Sequence, residues 1–127
     1  MTGVDFQVKN IDLCRLLALE SPDSAVNFVH AIIEDFLPTV RADEYDLVLC
    51  FSVLHWCSKF SGFELVQAQL TDLAQKISVG LFEFALVSEF QENNLPANYR
   101  DFLTGFSFVR ALSYNERFEG TGVKRPL

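Results

Sequence analysis

The segment over residues 44–56 constrains the fold of this chain more than any other stretch. An acidic turn leads into an apolar run that ends abruptly in Ser52, His55 and Trp56. Continuous apolar runs of this length are typical of parallel strands whose two faces are both covered. Because open α/β sheets bind ligands just beyond the carboxyl ends of their strands, the segment predicts a buried parallel strand with a ligand site at its end.

Strand and helix patterns alternate along the rest of the chain. The hydrophobic spacing predicts strands at residues 2–6, 26–32, 45–51, 79–87 and 106–112. It predicts helices at residues 10–20, 65–77 and 96–106, a short helix or turn at 36–40 and a loop at 57–62. Asn10 is predicted as the N-cap of the first helix. The alternation indicates an α/β fold with a doubly wound, mostly parallel sheet.

The composition indicates one globular domain. Half of the 127 residues are apolar and 13% are aromatic, which excludes a disordered chain. No window approaches about eighteen uninterrupted apolar residues and the first residues lack a signal-peptide pattern, so neither a transmembrane segment nor secretion is expected. Three cysteines without metal-ligand spacing predict reduced thiols and a cytoplasmic location. The net charge of −7 argues against binding to nucleic acid.

A set of short motifs carries a likeness to a known family. In chain order they are Val4-Asp5-Phe6-Gln7, Asn10-Ile11 with Cys14-Arg15, Glu34-Asp35, Tyr45-Asp46-Leu47, Ser52-Val53-Leu54-His55-Trp56, Phe82-Glu83-Phe84 and Lys124-Arg125-Pro126-Leu127. In order and spacing they resemble the class I S-adenosylmethionine-dependent methyltransferases, in particular the methyltransferase domain of O-antigen chain-terminating methyltransferase/kinases. The resemblance covers nearly the whole chain and implies a Rossmann-like fold.

One part of the family pattern is missing from this sequence. In the family the first strand ends in a glycine-rich loop that approaches the methionine part of the cofactor. The six glycines of this chain form no such loop between a strand and a helix. The resemblance therefore predicts a single partial domain over residues 1–127, without the first strand and with the last strand cut short. The alternative is a complete, minimal fold that pairs the strands ending at Asp5 and Phe51 directly.

The resemblance implies S-adenosylmethionine as the cofactor and assigns four residues near the N-terminus to it. Asp5 would accept hydrogen bonds from both ribose hydroxyls, and Phe6 would pack against the adenine. Ile33 and Glu34, in the turn after the strand at 26–32, would meet the adenine edge. The alternatives are a solvated or capping carboxylate for Asp5, core packing for Phe6 and a charged first helical turn for Ile33 and Glu34.

Three further cofactor residues follow the strand at 45–51. On the family pattern Ser52 and Val53 line the cofactor. Trp56 would form a wall of the pocket and attract the sulfonium through its ring face. A polar residue at a strand end and an ordinary core tryptophan are the alternatives.

His55 and Glu83 are the candidate catalytic residues. His55 would act as the general base for a hydroxyl acceptor because its ordinary pKa lies near neutrality, and a structural, hydrogen-bonded histidine is the alternative. Glu83 lies within an apolar strand, where a carboxylate needs a partner or a cleft, and it would face the acceptor. Cys57 beside His55 does not form a dyad by sequence, and the pair His30 and His55 has no metal spacing, so no metal site is predicted.

These residues support two hypotheses for the function. The first is a methyltransferase domain that transfers a methyl group to an oxygen of a glycan or phosphoglycan-like acceptor. It acts within a longer polypeptide or a homo-oligomer, and without the glycine-rich loop the isolated chain would bind the cofactor weakly or not at all. The second is a catalytically inactive methyltransferase-like remnant or protein-interaction module.

Overall fold

The computed structural model describes residues 1–20, 25–84, 98–112, 114–116 and 124–126. In chain order the elements are β1 (Thr2–Asp5), α1 (Val8–Ala18), β2 (Asn27–His30), α2 (Ile33–Phe36), β3 (Leu47–Phe51), α3 (Leu54–Ser61), α4 (Phe63–Leu73), β4 (Val79–Glu83), β5 (Tyr114–Glu116) and β6 (Lys124–Pro126). Short 3₁₀ helices cover Leu37–Thr39 and Tyr99–Leu103. The backbone divides into two compact units, residues 1–39 and 40–127. The order of strands and helices confirms the predicted α/β class.

The first unit is built around a parallel pair of strands. β1 pairs with β2 in the register Thr2↔Asn27 to Asp5↔His30, and α1 connects them. Parallel neighbours need such a crossover, and a helix is its usual form. The helix begins at Val8, so the prediction of Asn10 as its N-cap is wrong. Asn10 lies within the first helical turn, and its side-chain amide donates instead to the Asp5 carboxylate.

The second unit repeats this arrangement. β3 and β4 are parallel, in the register Leu47↔Val79 to Phe51↔Glu83, and α3 and α4 connect them. β5 and β6 form a separate antiparallel pair. The five residues of β3 lie within the predicted strand at 45–51, which confirms the prediction for the most informative stretch of the sequence.

The loop predicted at residues 57–62 is wrong, because α3 extends to Ser61. Leu54, Cys57 and Ser58 are buried and lie three and four residues apart, which is the spacing of a helix face. Gly62 ends the helix with a φ of 94°, a conformation that residues with a side chain rarely adopt. Because the segment also contains polar residues, the sequence pattern did not indicate this short buried helix face.

The strand predicted at residues 106–112 is also wrong. These residues have no regular secondary structure, and none of the described strands pairs with them. Phe106 packs edge-on against Phe82 with a ring separation of 5.4 Å, while Phe108 is 80% exposed. Alternating aromatic residues predicted a strand here, but a strand also needs a hydrogen-bonded neighbour.

Two other predicted elements are only partly described. The helix predicted at 96–106 is a 3₁₀ helix over Tyr99–Leu103, and residues 96 and 97 lie outside the described residues. The strand predicted at 79–87 ends at Glu83, and residues 85–87 lie outside the described residues.

The core of the second unit positions the end of β4. Its most buried side chains come from α3, α4, the 3₁₀ helix and the residue that follows β4, and they include Leu54, Val66, Leu70, Leu73, Phe84 and Phe102. Gly105 allows the chain after the 3₁₀ helix to approach α4, because a Cβ at this position would lie 2.6 Å from the Cα of Thr71. Among the helices of the described ranges, none is long and apolar enough to cross a membrane.

The buried thiol of Cys50 in β3 is expected to make the second unit less stable at alkaline pH. Burial raises the pKa of Cys50 to about 12 from its ordinary value of 9.0. The pKa of Cys50 is higher in the folded chain than in the unfolded chain. Its contribution to the free energy of unfolding is therefore fully present below pH 9.0 and is lost as the pH rises from there towards about 12. We expect the wild type to lose about 1.4 kcal/mol more of its unfolding free energy than Cys50→Ala by about pH 10.

Urea unfolding at several pH values measures this difference. Val66→Ala is the control, because it also creates a cavity in the core but removes no ionisable group. A Cys50→Ala variant that loses stability above pH 9.0 as steeply as the wild type would contradict the assignment to this thiol.

Candidate functional site

Ser52 and Glu83 lie side by side where β3 and β4 end. The Ser52 hydroxyl donates to Glu83 Oε2 at 2.7 Å, and the Ser52 N–H donates to the Glu83 carbonyl oxygen at 3.2 Å. The two residues are 31 positions apart in the sequence, but the register pairs Phe51 with Glu83, which brings Ser52 next to it. The structure therefore unites a predicted cofactor residue and a predicted catalytic residue in one contact.

The backbone of Ser52 is strained. Its φ is 54°, in the left-handed region that residues with a side chain other than Asn and Asp rarely occupy. Such conformations cost about 1–3 kcal/mol and occur preferentially at functional sites. The strained residue stands directly between β3 and α3, so it sets the direction in which the helix leaves the sheet.

α3 carries an aromatic cluster on its first two turns. The His55 and Trp56 rings are 5.2 Å apart and tilted by 44°, and Trp56 stacks on Phe60 at 6.2 Å. Lys59 places its ammonium group 5.2 Å from the centre of the Trp56 ring. A cation therefore already lies against the tryptophan that was predicted to attract a sulfonium.

The residues of this cluster differ in exposure. His55 is half-buried, whereas Trp56 is 50% exposed and Phe60 is 78% exposed. Trp56 is thus not an ordinary core tryptophan. Lys59 and Phe60 were missed because the sequence predicted a loop there, and the helical spacing from Trp56 to Lys59 and Phe60 was the signal that could have found them.

In the first unit, Asp5 ends β1 with its carboxylate held in place. Oδ1 accepts from the Gln7 N–H at 2.7 Å, and Oδ2 accepts from the Asn10 side-chain amide at 2.9 Å. Each carboxylate oxygen has two lone pairs, so Asp5 can still accept one hydrogen bond at each oxygen. Two acceptors on one oriented group match the two hydroxyls of a ribose. Sequence reasoning named Asp5 but missed the orienting contacts of Gln7 and Asn10.

Phe6, Ile33 and Glu34 lie at the same edge of the β1–β2 pair as Asp5. Phe6 follows β1 and is 64% exposed, and its carbonyl oxygen lies 2.9 Å from His30 Nε2 at the end of β2. Ile33 and Glu34 are half-buried and open α2 shortly after β2. Because the strands are parallel, their carboxyl ends meet at one edge. The four predicted residues of this unit are therefore brought together.

A cleft of about 250 Å³ opens beside β4 in the second unit. Its walls are mainly aromatic and apolar, and they include Phe51, Phe84, Tyr99 and Arg110. Phe51 and Phe84 directly neighbour Ser52 and Glu83 in the chain, so the cleft adjoins the carboxyl ends of β3 and β4. Sequence reasoning did not identify the cleft, because residues 98–112 were assigned to a helix and a strand.

The residues of the first unit suit the adenosine part of S-adenosylmethionine. The oriented Asp5 carboxylate, the exposed ring of Phe6 and the half-buried Ile33 and Glu34 fit the ribose and the adenine. The chain holds no glycine-rich loop for the methionine part. In the part of the chain that the structure describes, no group of three or more His, Cys, Asp or Glu side chains could hold a metal ion.

The sequence profile of the methyltransferase domain family matches residues 1–68, just over half of the chain. The chain belongs to this family. The matched region contains Asp5, Phe6, Ile33, Glu34, Ser52, Val53, His55 and Trp56, and Glu83 lies beyond it. Methyltransferases of this family in general use S-adenosylmethionine, which agrees with the cofactor implied by the sequence motifs.

Relatives of this methyltransferase domain include a much longer protein. The chain is 31% identical over 114 residues to the O-antigen chain terminator bifunctional methyltransferase/kinase WbdD of Escherichia coli. The alignment covers 88% of this chain but 16% of WbdD. A structure of the bifunctional kinase-methyltransferase WbdD matches with a TM-score of 0.89 and 30% identity, over 98% of this chain and 28% of that one. A structure of monomeric WbdD matches with a TM-score of 0.83 and 31% identity, over 98% and 29% of the two chains.

Proposed function

We propose that residues 1–127 are part of a single methyltransferase domain that binds S-adenosylmethionine and methylates an oxygen of a glycan or phosphoglycan-like acceptor. One observation carries the proposal. In a chain of this family, Asp5 and its three predicted companions meet at the carboxyl end of β1 and β2, where α/β folds bind nucleotides. The acceptor class rests on the likeness to WbdD, which is named as an O-antigen chain terminator.

In this proposal the first unit binds the adenosine half of the cofactor. Asp5 accepts from the ribose hydroxyls, and Gln7 and Asn10 hold its carboxylate in the required orientation. Phe6 packs against the adenine, and Ile33 and Glu34 meet its edge. An oriented carboxylate binds a diol more tightly than a mobile one, because less conformational freedom is lost on binding.

The second unit contributes a separate group of residues. Ser52 and Val53 line the cofactor after β3, and Trp56 forms a wall. Glu83 faces the acceptor at the end of β4. The adjoining cleft, with its aromatic walls and Arg110, offers room for part of an acceptor that carries an anionic group.

The chemistry required of the protein is modest. When bound, S-adenosylmethionine supplies a methyl group that its sulfonium has already activated, so the protein mainly orients the acceptor and excludes water. His55 takes up the proton of a hydroxyl acceptor on an imidazole nitrogen. A phosphate oxygen needs no base, so His55 would be dispensable with such an acceptor.

We also propose a compartment and a partner for the protein. The cytoplasm is the proposed compartment, because the buried thiols of Cys50 and Cys57 would stay reduced there. The remainder of a longer polypeptide, or a second copy of the chain, is the proposed protein partner, and nucleic acid is not a proposed ligand. One observation favours the alternative of an inactive remnant or interaction module, since Trp56 and Phe60 expose an aromatic face of a kind found at protein interfaces.

Calorimetric titration with S-adenosylmethionine tests the proposed function. The chain alone is compared with the chain preceded by a first strand and glycine-rich loop of the family's pattern. We expect weak or undetectable binding by the chain alone, and binding at least about 30-fold tighter by the extended chain, which corresponds to roughly 2 kcal/mol. The matched control carries the same extension with valine in place of its loop glycines, and it should bind no better than the chain alone.

Two results would count against this proposal. If the extended chain also fails to bind, the alternative of an inactive remnant is favoured. If the chain alone binds with a micromolar Kd, the glycine-rich loop is not required and the assignment of the methionine part to that loop is wrong.

A further inference from the structure

Ser52 directs both of its hydrogen-bond donors at Glu83. The hydroxyl donates to Oε2 of the side chain, and the backbone N–H donates to the carbonyl oxygen of the same residue. Both residues are half-buried, so water competes less for these bonds than at an exposed site. Glu83 therefore contacts the side chain and the backbone of Ser52 at once.

This double contact explains how a serine keeps a left-handed backbone. With a φ of 54°, Ser52 occupies a region where its Cβ is crowded and where glycine is the usual residue. Such a conformation persists only when its surroundings hold it. The two bonds to Glu83 hold Ser52 from a neighbouring strand.

The conformation of Ser52 determines how α3 begins. Val53 follows Ser52 directly, and α3 opens at Leu54, with His55 and Trp56 in its first turn. A change of Ser52 to an extended or right-handed backbone would turn the chain before Val53 and redirect the helix start. Three residues of the proposed site thus depend on one backbone angle.

We propose that Glu83 is a positioning residue that holds Ser52 in the left-handed conformation and so fixes the turn from β3 into α3. This role needs an oxygen on the side chain of residue 83 but no charge. For the effect on the cofactor the inference rests on the proposed function, whereas the hold on Ser52 and α3 does not depend on it.

Three substitutions separate this role from others. Glu83→Gln keeps a side-chain oxygen that can accept from Ser52 but removes the charge. Glu83→Leu removes both the side-chain oxygen and the charge. Ser52→Gly removes the Cβ that makes the left-handed conformation unfavourable, so Glu83 should become dispensable in that background. Glu64→Leu is the matched control, because it removes an exposed glutamate at the start of α4.

The first measurement is made on the chain without cofactor. Trp56 is the single tryptophan, so its fluorescence reports the start of α3. We expect Glu83→Leu to shift its emission maximum and to lower Tm by about 4 °C, whereas Glu83→Gln and Glu64→Leu keep the wild-type emission and Tm. In the Ser52→Gly background, Glu83→Leu should cause no further change.

The second measurement is titration of S-adenosylmethionine in the form of the chain that binds it. We expect Glu83→Leu to raise the Kd for S-adenosylmethionine about tenfold, because the left-handed conformation of Ser52 is no longer held. Glu83→Gln should keep the wild-type Kd. If the wild type binds no cofactor in any form, the proposed function fails, and the fluorescence and melting results still decide the positioning role.

Three outcomes would overturn the inference. The first is a Glu83→Gln variant as impaired as Glu83→Leu, which would make the charge essential. The second is additivity of Ser52→Gly and Glu83→Leu, which would show that Glu83 does not act through Ser52. If Glu83→Leu alone does not fold, a folded double variant supports the inference, and a double variant that also fails to fold overturns it.

Discussion

Replacing Phe102 with alanine is expected to lower the free energy of unfolding by about 4 kcal/mol. The side chain is fully buried, with 0% of its surface exposed. Its ring packs edge-on against Phe63 at 4.9 Å and lies 5.6 Å from Phe84. The small variant leaves a cavity that these rings cannot fill without moving from their contacts. Because domains of this size are stable by only about 5–15 kcal/mol, the loss is a large part of the total.

Denaturant unfolding followed by circular dichroism measures this loss. Phe108→Ala is the matched control, since Phe108 is 80% exposed and its truncation should change the unfolding free energy by less than about 0.5 kcal/mol. A change below about 1 kcal/mol for Phe102→Ala would contradict the packing described for the second unit. The result also bears on the site, because Phe84 contacts Phe102 and directly follows Glu83.

Replacing Asp5 is expected to have the largest effect on cofactor binding. In the proposed function its carboxylate accepts from both ribose hydroxyls, and hydrogen bonds to a charged group contribute about 1.5–3 kcal/mol each. Losing both should raise the Kd for S-adenosylmethionine roughly 100-fold or more, measured in the form of the chain that binds it. Asp5→Ala and Asp5→Asn should both show the loss, because neither keeps two charged acceptor oxygens.

The two Asp5 variants differ in their effect on stability. Asp5→Ala also removes the bonds from Gln7 and Asn10, so it should lower Tm, whereas Asp5→Asn keeps a side-chain oxygen for the Gln7 N–H. Asp12→Ala is the control, since Asp12 is an exposed carboxylate on α1 of equal charge. If Asp5→Asn leaves Kd unchanged, Asp5 does not bind the ribose. An effect of Asp5→Ala on stability alone would agree with the inactive remnant.

The sequence predicted the parallel strands best. Residues 45–51 and 26–32 contain β3 and β2. The continuous apolar run Leu47–Phe51 is typical of a buried parallel strand. The motifs in chain order were enough to indicate the methyltransferase family, which the match over residues 1–68 confirms. The polar and aromatic candidates lie at or just beyond the carboxyl ends of the parallel strands, and their roles in binding and catalysis stay predictions.

The sequence predicted poorly where contacts from elsewhere decide the local structure. Residues 57–62 look like a loop by composition, but burial of Leu54, Cys57 and Ser58 makes them part of α3. Residues 106–112 alternate like a strand, but no described strand pairs with them. In both segments the local pattern was weak, so packing and hydrogen-bonding partners determined the outcome.

The sequence by itself determined the α/β class, the family and the identity of the candidate residues, because hydrophobic periodicity and motif order are local properties of the chain. Only the tertiary structure decided which candidates are in contact. Asn10 orients Asp5 instead of capping a helix, and Glu83 holds a strained Ser52 from 31 positions away. Strand register and backbone angles set these contacts, and both depend on neighbours that are distant in the sequence.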